Sequence, residues 1–166
     1  MRTQLIITGA VMLAATTLAA CSDDDTPALT KAEFIEQADA ICQAADVEAA
    51  PTFDAFWTSL GDVDSDTEAG QQSIFEGMDE VIEVVAPIWR DMADDVESLG
   101  VPEDDEELIA DLVDDLRDAV DEMDRLVDAA VAGDELARIQ LDDTDPMAGV
   151  NSRARNYGFL VCGQDG

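Results

Sequence analysis

Apolar residues recur at spacings of three and four along most of this chain, the repeat of α-helices with one buried face. No stretch alternates as a half-buried strand would. Thr30-Lys31-Ala32-Glu33 is a capping box, in which hydroxyl and carboxylate satisfy amides at a helix start. Phe34, Ile35, Ala38, Ile41, Cys42 and Ala45 follow on one face, and Pro51 is expected to end or bend that helix. A short segment bearing Phe53, Phe56, Trp57 and Leu60 comes next, closed by Gly61.

The longest predicted helix runs from about Thr67 to Leu99, with Ile74, Phe75, Met78, Val81, Ile82, Val85, Ile88, Trp89, Met92 and Val96 on its inner stripe. Pro87 deprives the Glu83 carbonyl of its donor, which predicts a kink. Gly100 caps the end and Val101-Pro102 turns the chain. From Glu103 to Ala132 the pattern repeats with Leu108, Ile109, Leu112, Val113, Leu116, Val120, Met123, Leu126, Val127 and Ala130, and Gly133 ends it. A short helix over 134–141 and a turn over 142–144 follow. Asp145-Pro146 then starts a last helix, with Met147, Val150, Ala154 and Tyr157 inside and Cys162 aboard. The expected fold is therefore all-α and four-helix-bundle-like, with two long antiparallel helices flanked by an N- and C-terminal helix pair.

The beginning of the chain breaks this pattern. Met1-Arg2 is a short positive segment, and Leu5 to Leu18 is an apolar run too short for a membrane span and of the length of a signal sequence. It ends in Leu18-Ala19-Ala20-Cys21, which resembles the lipobox of bacterial lipoproteins. That resemblance implies cleavage between Ala20 and Cys21 and a diacylglyceryl group on the Cys21 thiol. Two acyl chains suffice for stable anchoring where one does not. The expected organisation is a signal peptide over 1–20, a lipidated Cys21 with a hydrated acidic tether over 21–29, and a helical domain over 30–166. On this reading the protein partners the membrane through Cys21, on the extracytoplasmic face.

Of the three cysteines, lipidation removes the odd one and leaves Cys42 and Cys162. Outside the cytoplasm these can persist as a disulfide, which would close a loop of about 120 residues and contribute about 4 kcal/mol in the chain-entropy picture. The alternative is a pair of buried thiols. A redox-active pair is disfavoured, because no Cys-x-x-Cys and no neighbouring base lowers a thiol pKa.

Charge narrows the range of partners. The chain carries 40 acidic and 8 basic residues, for a net charge of −32, and removal of Arg2 with the leader makes it more negative. Such a surface repels nucleic acid and anionic headgroups alike. At 47% apolar residues the chain is nevertheless hydrophobic enough to fold. With 0 histidines, Ser-His-Asp and Cys-His nucleophilic sites and the Glu-x-x-His ligands of di-iron bundles are excluded, and no cofactor is implied. An enzyme relying on carboxylates alone is the less favoured reading.

Asp62, Asp64, Asp66 and Glu68 alternate as the start of a Ca²⁺ loop does, the basis for an alternative reading as a low-affinity cation binder. The match then fails, since Thr67 stands at the turn-glycine position and Ser73 at that of the bidentate Glu; a hydrated loop capping the next helix is the simpler expectation. Asp111, Asp114, Asp115, Asp118, Asp121, Glu122 and Asp128 line the outer side of the third long helix, expected as a solvated face offset by Arg117 and Arg125. Phe53, Phe56, Trp57 and Trp89 are expected in the core rather than around a ligand. Arg153, Arg155 and Asn156, the one basic spot, are expected to pair with the acidic helices.

Leu29 to Ala45, Tyr157 to Gly163 and the Leu-Gly-Val-Pro of 99–102 together resemble a set of small secreted and lipid-anchored helical proteins of high-GC Gram-positive bacteria. In that set the first-helix Cys and the near-terminal Cys-Gly are paired. The resemblance implies a disulfide between Cys42 and Cys162 and an extracytoplasmic helical domain, and it brings no activity with it. The function expected is binding an envelope or extracellular partner.

Overall fold

The computed structural model describes residues 28–164, apart from the side chain of Asp62. The signal peptide over 1–20, the lipidation site Cys21 and most of the tether lie outside the described residues. Five α-helices, α1 (Lys31–Ser59), α2 (Glu68–Glu97), α3 (Glu106–Val131), α4 (Glu135–Asp143) and α5 (Ala148–Tyr157), and one 3-10 turn (Leu60–Asp62) make up the fold. Among the described residues there is no strand, and no helix is long and apolar enough to cross a membrane.

The Thr30–Glu33 capping box is formed as its sequence predicts, with the Thr30 hydroxyl facing the Glu33 amide and the Glu33 carboxylate accepting from the Thr30 amide at 3.0 Å. Of the two outcomes expected at Pro51, an end or a bend, the end does not occur. The helix continues for two more turns and takes in Phe53, Phe56 and Trp57. The missing proline amide would have served the Val47 carbonyl, and Val47 is 70% exposed, so water can solvate the turn. Pro87 is likewise exposed and sits inside an unbroken α2. There are thus three long helices rather than two. The last helix is shorter than expected: α5 ends at Tyr157, where Gly158 takes φ +121°, and Cys162 lies in the irregular tail beyond it. Asp145 accepts the Met147 amide at 2.8 Å and shapes the turn leading into α5.

Four helices, α1, α2, α3 and α5, meet around one core at the disulfide end. Phe34, Ala93, Val96, Ile109, Val113, Ala154, Tyr157 and Phe159 pack there. Phe34 is wholly buried, a contribution of about 2 kcal/mol from area alone. The ring of Phe34 stands edge-on to Tyr157, with centroids 6.2 Å apart, and lies 6.1 Å from that of Phe159. Farther along, the core divides. Ala49 and Phe56 of α1 meet Val81 and Val85 of α2 on one side. On the other, Ile82 and Ala86 of α2 meet Val120 and Val127 of α3, and α4 closes against Phe75, Leu126 and Ala130 through Ala137. The far half of α1 therefore packs on α2, with Leu60 of the 3-10 turn beside it.

Candidate functional site

The bond between Cys42 and Cys162 joins α1 to the C-terminal tail across a sequence separation of 120, with Cα atoms 5.4 Å apart. One turn before Cys42, Asp39 turns its carboxylate toward the same tail. It accepts the amides of Leu160 and Val161 at 2.9 Å and that of Cys162 at 3.0 Å. Three backbone donors without helical partners are satisfied by one side chain, so the tail is held electrostatically as well as covalently. Neither charge count nor periodicity singles Asp39 out. Its only sequence signal is a helix position one turn before a cysteine.

At the same end, Asp105 precedes α3 but makes no side-chain cap. Its carboxylate accepts the Tyr157 hydroxyl at 2.8 Å instead. Lys31 lies over the Tyr157 ring, 3.7 Å from the centroid, and 3.8 Å from the Asp105 carboxylate. Burial, and then the Asp105 carboxylate, push the Tyr157 phenol well above its ordinary range, so it remains a neutral donor. This constellation clamps helices together.

The acidic loop is used by the backbone. Asp64 accepts the Asp66 amide at 3.2 Å, and its carbonyl accepts the Thr67 hydroxyl at 2.8 Å, while Thr67 caps α2 through the Gly70 amide at 3.0 Å. The loop folds so closely on the first turn of α2 that a Cβ at Gly70 would stand 1.9 Å from the Asp64 carbonyl oxygen. Among the described residues no group of three or more His, Cys, Asp or Glu converges as metal ligands would, Asp64, Asp66 and Glu68 included.

The acidic face of α3 has more cations against it than the sequence suggested. Arg117 meets Asp94 and Glu97 of α2 at 2.6 Å, and Arg125 meets Glu122 at 2.6 Å. Arg90 reaches across from α2 to Asp121 at 2.8 Å, and Arg153 of α5 contacts Asp115. Arg153 thus pairs with an acidic helix as expected, whereas Arg155 donates to the Gly163 carbonyl and fastens the tail. One part of this seam stays uncompensated. The Asp79 carboxyl is pushed up by burial, and further by Asp128, Glu83 and Asp124.

The aromatic residues separate. Phe56 is buried, and Phe53 and Trp89 pack beside it with ring centroids 6.3 Å apart. Trp57 corrects the expectation: it is 66% exposed, because its position one residue after Phe56 turns it about 100° away from α2 and no other helix covers it. Two surface depressions among the described residues have no aromatic in their lining. One, of about 380 Å³, lies at the α2–α3 turn between Leu99, Val101 and Ile109. The other, of about 320 Å³, is a groove on the outer seam of α1 and α2, floored by Ile41, Ala44, Ile88 and Met92 and edged by Glu48, Asp91 and Asp95. The first has Glu97, Ser98 and Glu106 in its lining, whereas the second is an apolar floor with carboxylates at its rim. No family model, curated protein or solved structure matches the chain.

Proposed function

We propose that the protein is an acyl-anchored helical domain held on the outer face of the cytoplasmic membrane, where it binds an envelope or extracellular partner and catalyses no reaction. The observation that carries this reading is the Cys42–Cys162 bond. It suits an oxidising compartment, and it consumes two of three cysteines while leaving the one that follows Leu18-Ala19-Ala20. Support also comes from where the chain enters the domain. The Leu29 amide donates to the Gly100 carbonyl at 2.8 Å, so the tether leads into the end of the bundle that carries the α2–α3 turn. Residues 21–28 span at most about 25 Å when extended. That end would face the membrane, and α2, about 45 Å long, would carry the α1–α2 loop outward. The strong negative charge keeps such a domain upright over anionic headgroups.

Mass spectrometry of the native product tests the anchor. A first residue Cys21 bearing a diacylglyceryl group is expected, and an unmodified Cys21 or a retained leader overturns the placement. Crosslinking in the native envelope tests the binding reading, which falls if no partner is captured reproducibly.

A further inference from the structure

We propose that the groove on the outer α1–α2 seam docks a cationic amphipathic helix of a partner protein. The inference rests on the binding reading above, though not on the acyl anchor. The floor is apolar and open, made by Ile41 and Ala44 of α1 with Ile88 and Met92 of α2. Helical spacing extends it, since Val47 falls on the face of Ala40, Ala44 and Pro51, and Val84 on that of Ile88, Asp91 and Asp95. Val47 is 70% and Val84 50% exposed, so a stripe running from residue 40 to residue 51, about 17 Å or three helical turns, is uncovered apolar surface. Small Ala40 and Ala44 on one wall let a third helix approach closely.

Charge decides what that helix is. Glu48 edges the α1 wall, and Asp91 and Asp95 edge the α2 wall. Among the described residues no ion pair answers them: α1 carries only Lys31, at its first residue, and Arg90, the single cation of α2, is turned to Asp121 and Asp124 on α3. A second copy of this chain would bring carboxylates to carboxylates, and an anionic lipid surface would do the same. A helix with an apolar stripe flanked by Lys or Arg satisfies both floor and rim, the usual mode of helix-in-groove recognition. At the far end, Pro51 offers no amide to the Val47 carbonyl, leaving an acceptor for a Lys or Arg side chain.

The chain as its host produces it, titrated with a Lys/Leu amphipathic peptide of about 15–20 residues, long enough to hold a helix, tests the proposal. Binding is expected to weaken about tenfold or more in Ala44→Arg and in Asp91→Lys with Asp95→Lys, all at exposed positions, with melting temperature checked in each. It should change less than about twofold in Asp111→Lys with Asp118→Lys, which alters net charge equally on α3. Equal weakening by both charge pairs means bulk attraction only and overturns the groove. So does the absence of binding, or equal binding of a Glu/Leu peptide. If envelope crosslinking captures a partner that the groove variants still bind, the binding reading stands and the groove assignment falls.

Discussion

The two seams that flank α2 use the same kind of apolar stripe yet differ at their edges. Along α2–α3, Arg90 of α2 pairs with Asp121 and Asp124 of α3 and Arg117 of α3 with Asp94 and Glu97 of α2, and α4 and α5 pack over α3. Along α1–α2, no ion pair joins the two helices among the described residues, and α1 is secured instead at one end, by the Cys42–Cys162 bond and the Asp39 carboxylate. In a chain with 40 acids and 8 bases, cations are scarce enough that their placement shows which surfaces are closed. One seam is bridged by cations except around Asp79; the other keeps its carboxylates and apolar floor exposed.

If α1 depends on its end fastening, breaking the disulfide has the largest effect. Cys42→Ser with Cys162→Ser is expected to cost about 4 kcal/mol, and hydrogen exchange should find α1 amides deprotected before those of α2 and α3. Equal loss of protection in all three helices would erase the difference between the seams. Asp39→Ala leaves three amides without an acceptor, for a loss of about 2 kcal/mol in denaturant titration, and Asp39→Asn should recover part of it.

On the closed seam the effects are smaller. Arg117→Ala removes pairs that are largely solvated and is expected to cost about 0.5–1 kcal/mol, shrinking at high salt. Asp79 works in the opposite sense. Its folded pKa is raised above the ordinary 3.8, so the ionised group destabilises at neutral pH, and the penalty fades as pH falls through the folded value toward 3.8. Asp79→Asn should therefore raise the melting temperature at pH 7, by about 2 °C after allowance for solvent screening, and flatten this part of the pH profile. Glu33 carries the contrary sign: its carboxyl is held low by the Thr30 hydroxyl and amide, so its contribution is lost on acidification below 4.5. The smallest effect expected distinguishes general screening from a bound cation. NaCl and CaCl₂ at equal ionic strength should raise the melting temperature alike, and a selective rise with Ca²⁺ would revive the acidic-loop reading.

The helices were legible because their signals are local. Thr30 with Glu33, Thr67 before α2 and Asp134 before α4 all act within four residues, and each cap forms. Pro51 misled because a proline's cost depends on whether water reaches the carbonyl it orphans, a matter of which neighbours α1 has. Trp57 misled for a related reason: spacing says that a residue adjoins a buried face, not that a second helix arrives to cover it. Asp39 and Gly70 were invisible because their partners are backbone groups, of residues 160–162 in one case and Asp64 in the other, and backbone carries no sequence signature.

By itself the sequence determined an all-helical domain, the starts of α1, α2 and α4, and the cysteine pair that closes it, because caps, 3.6-residue periodicity and cysteine arithmetic act without reference to distant contacts; α3 and α5 begin two or three residues later than expected, and Asp145 does not cap α5. Only the tertiary structure decided which carboxylates are neutralised and which stripe stays open. Arg90, Arg117 and Arg153 each reach carboxylates on a neighbouring helix, and that pairing follows from distance in space, which periodicity does not encode.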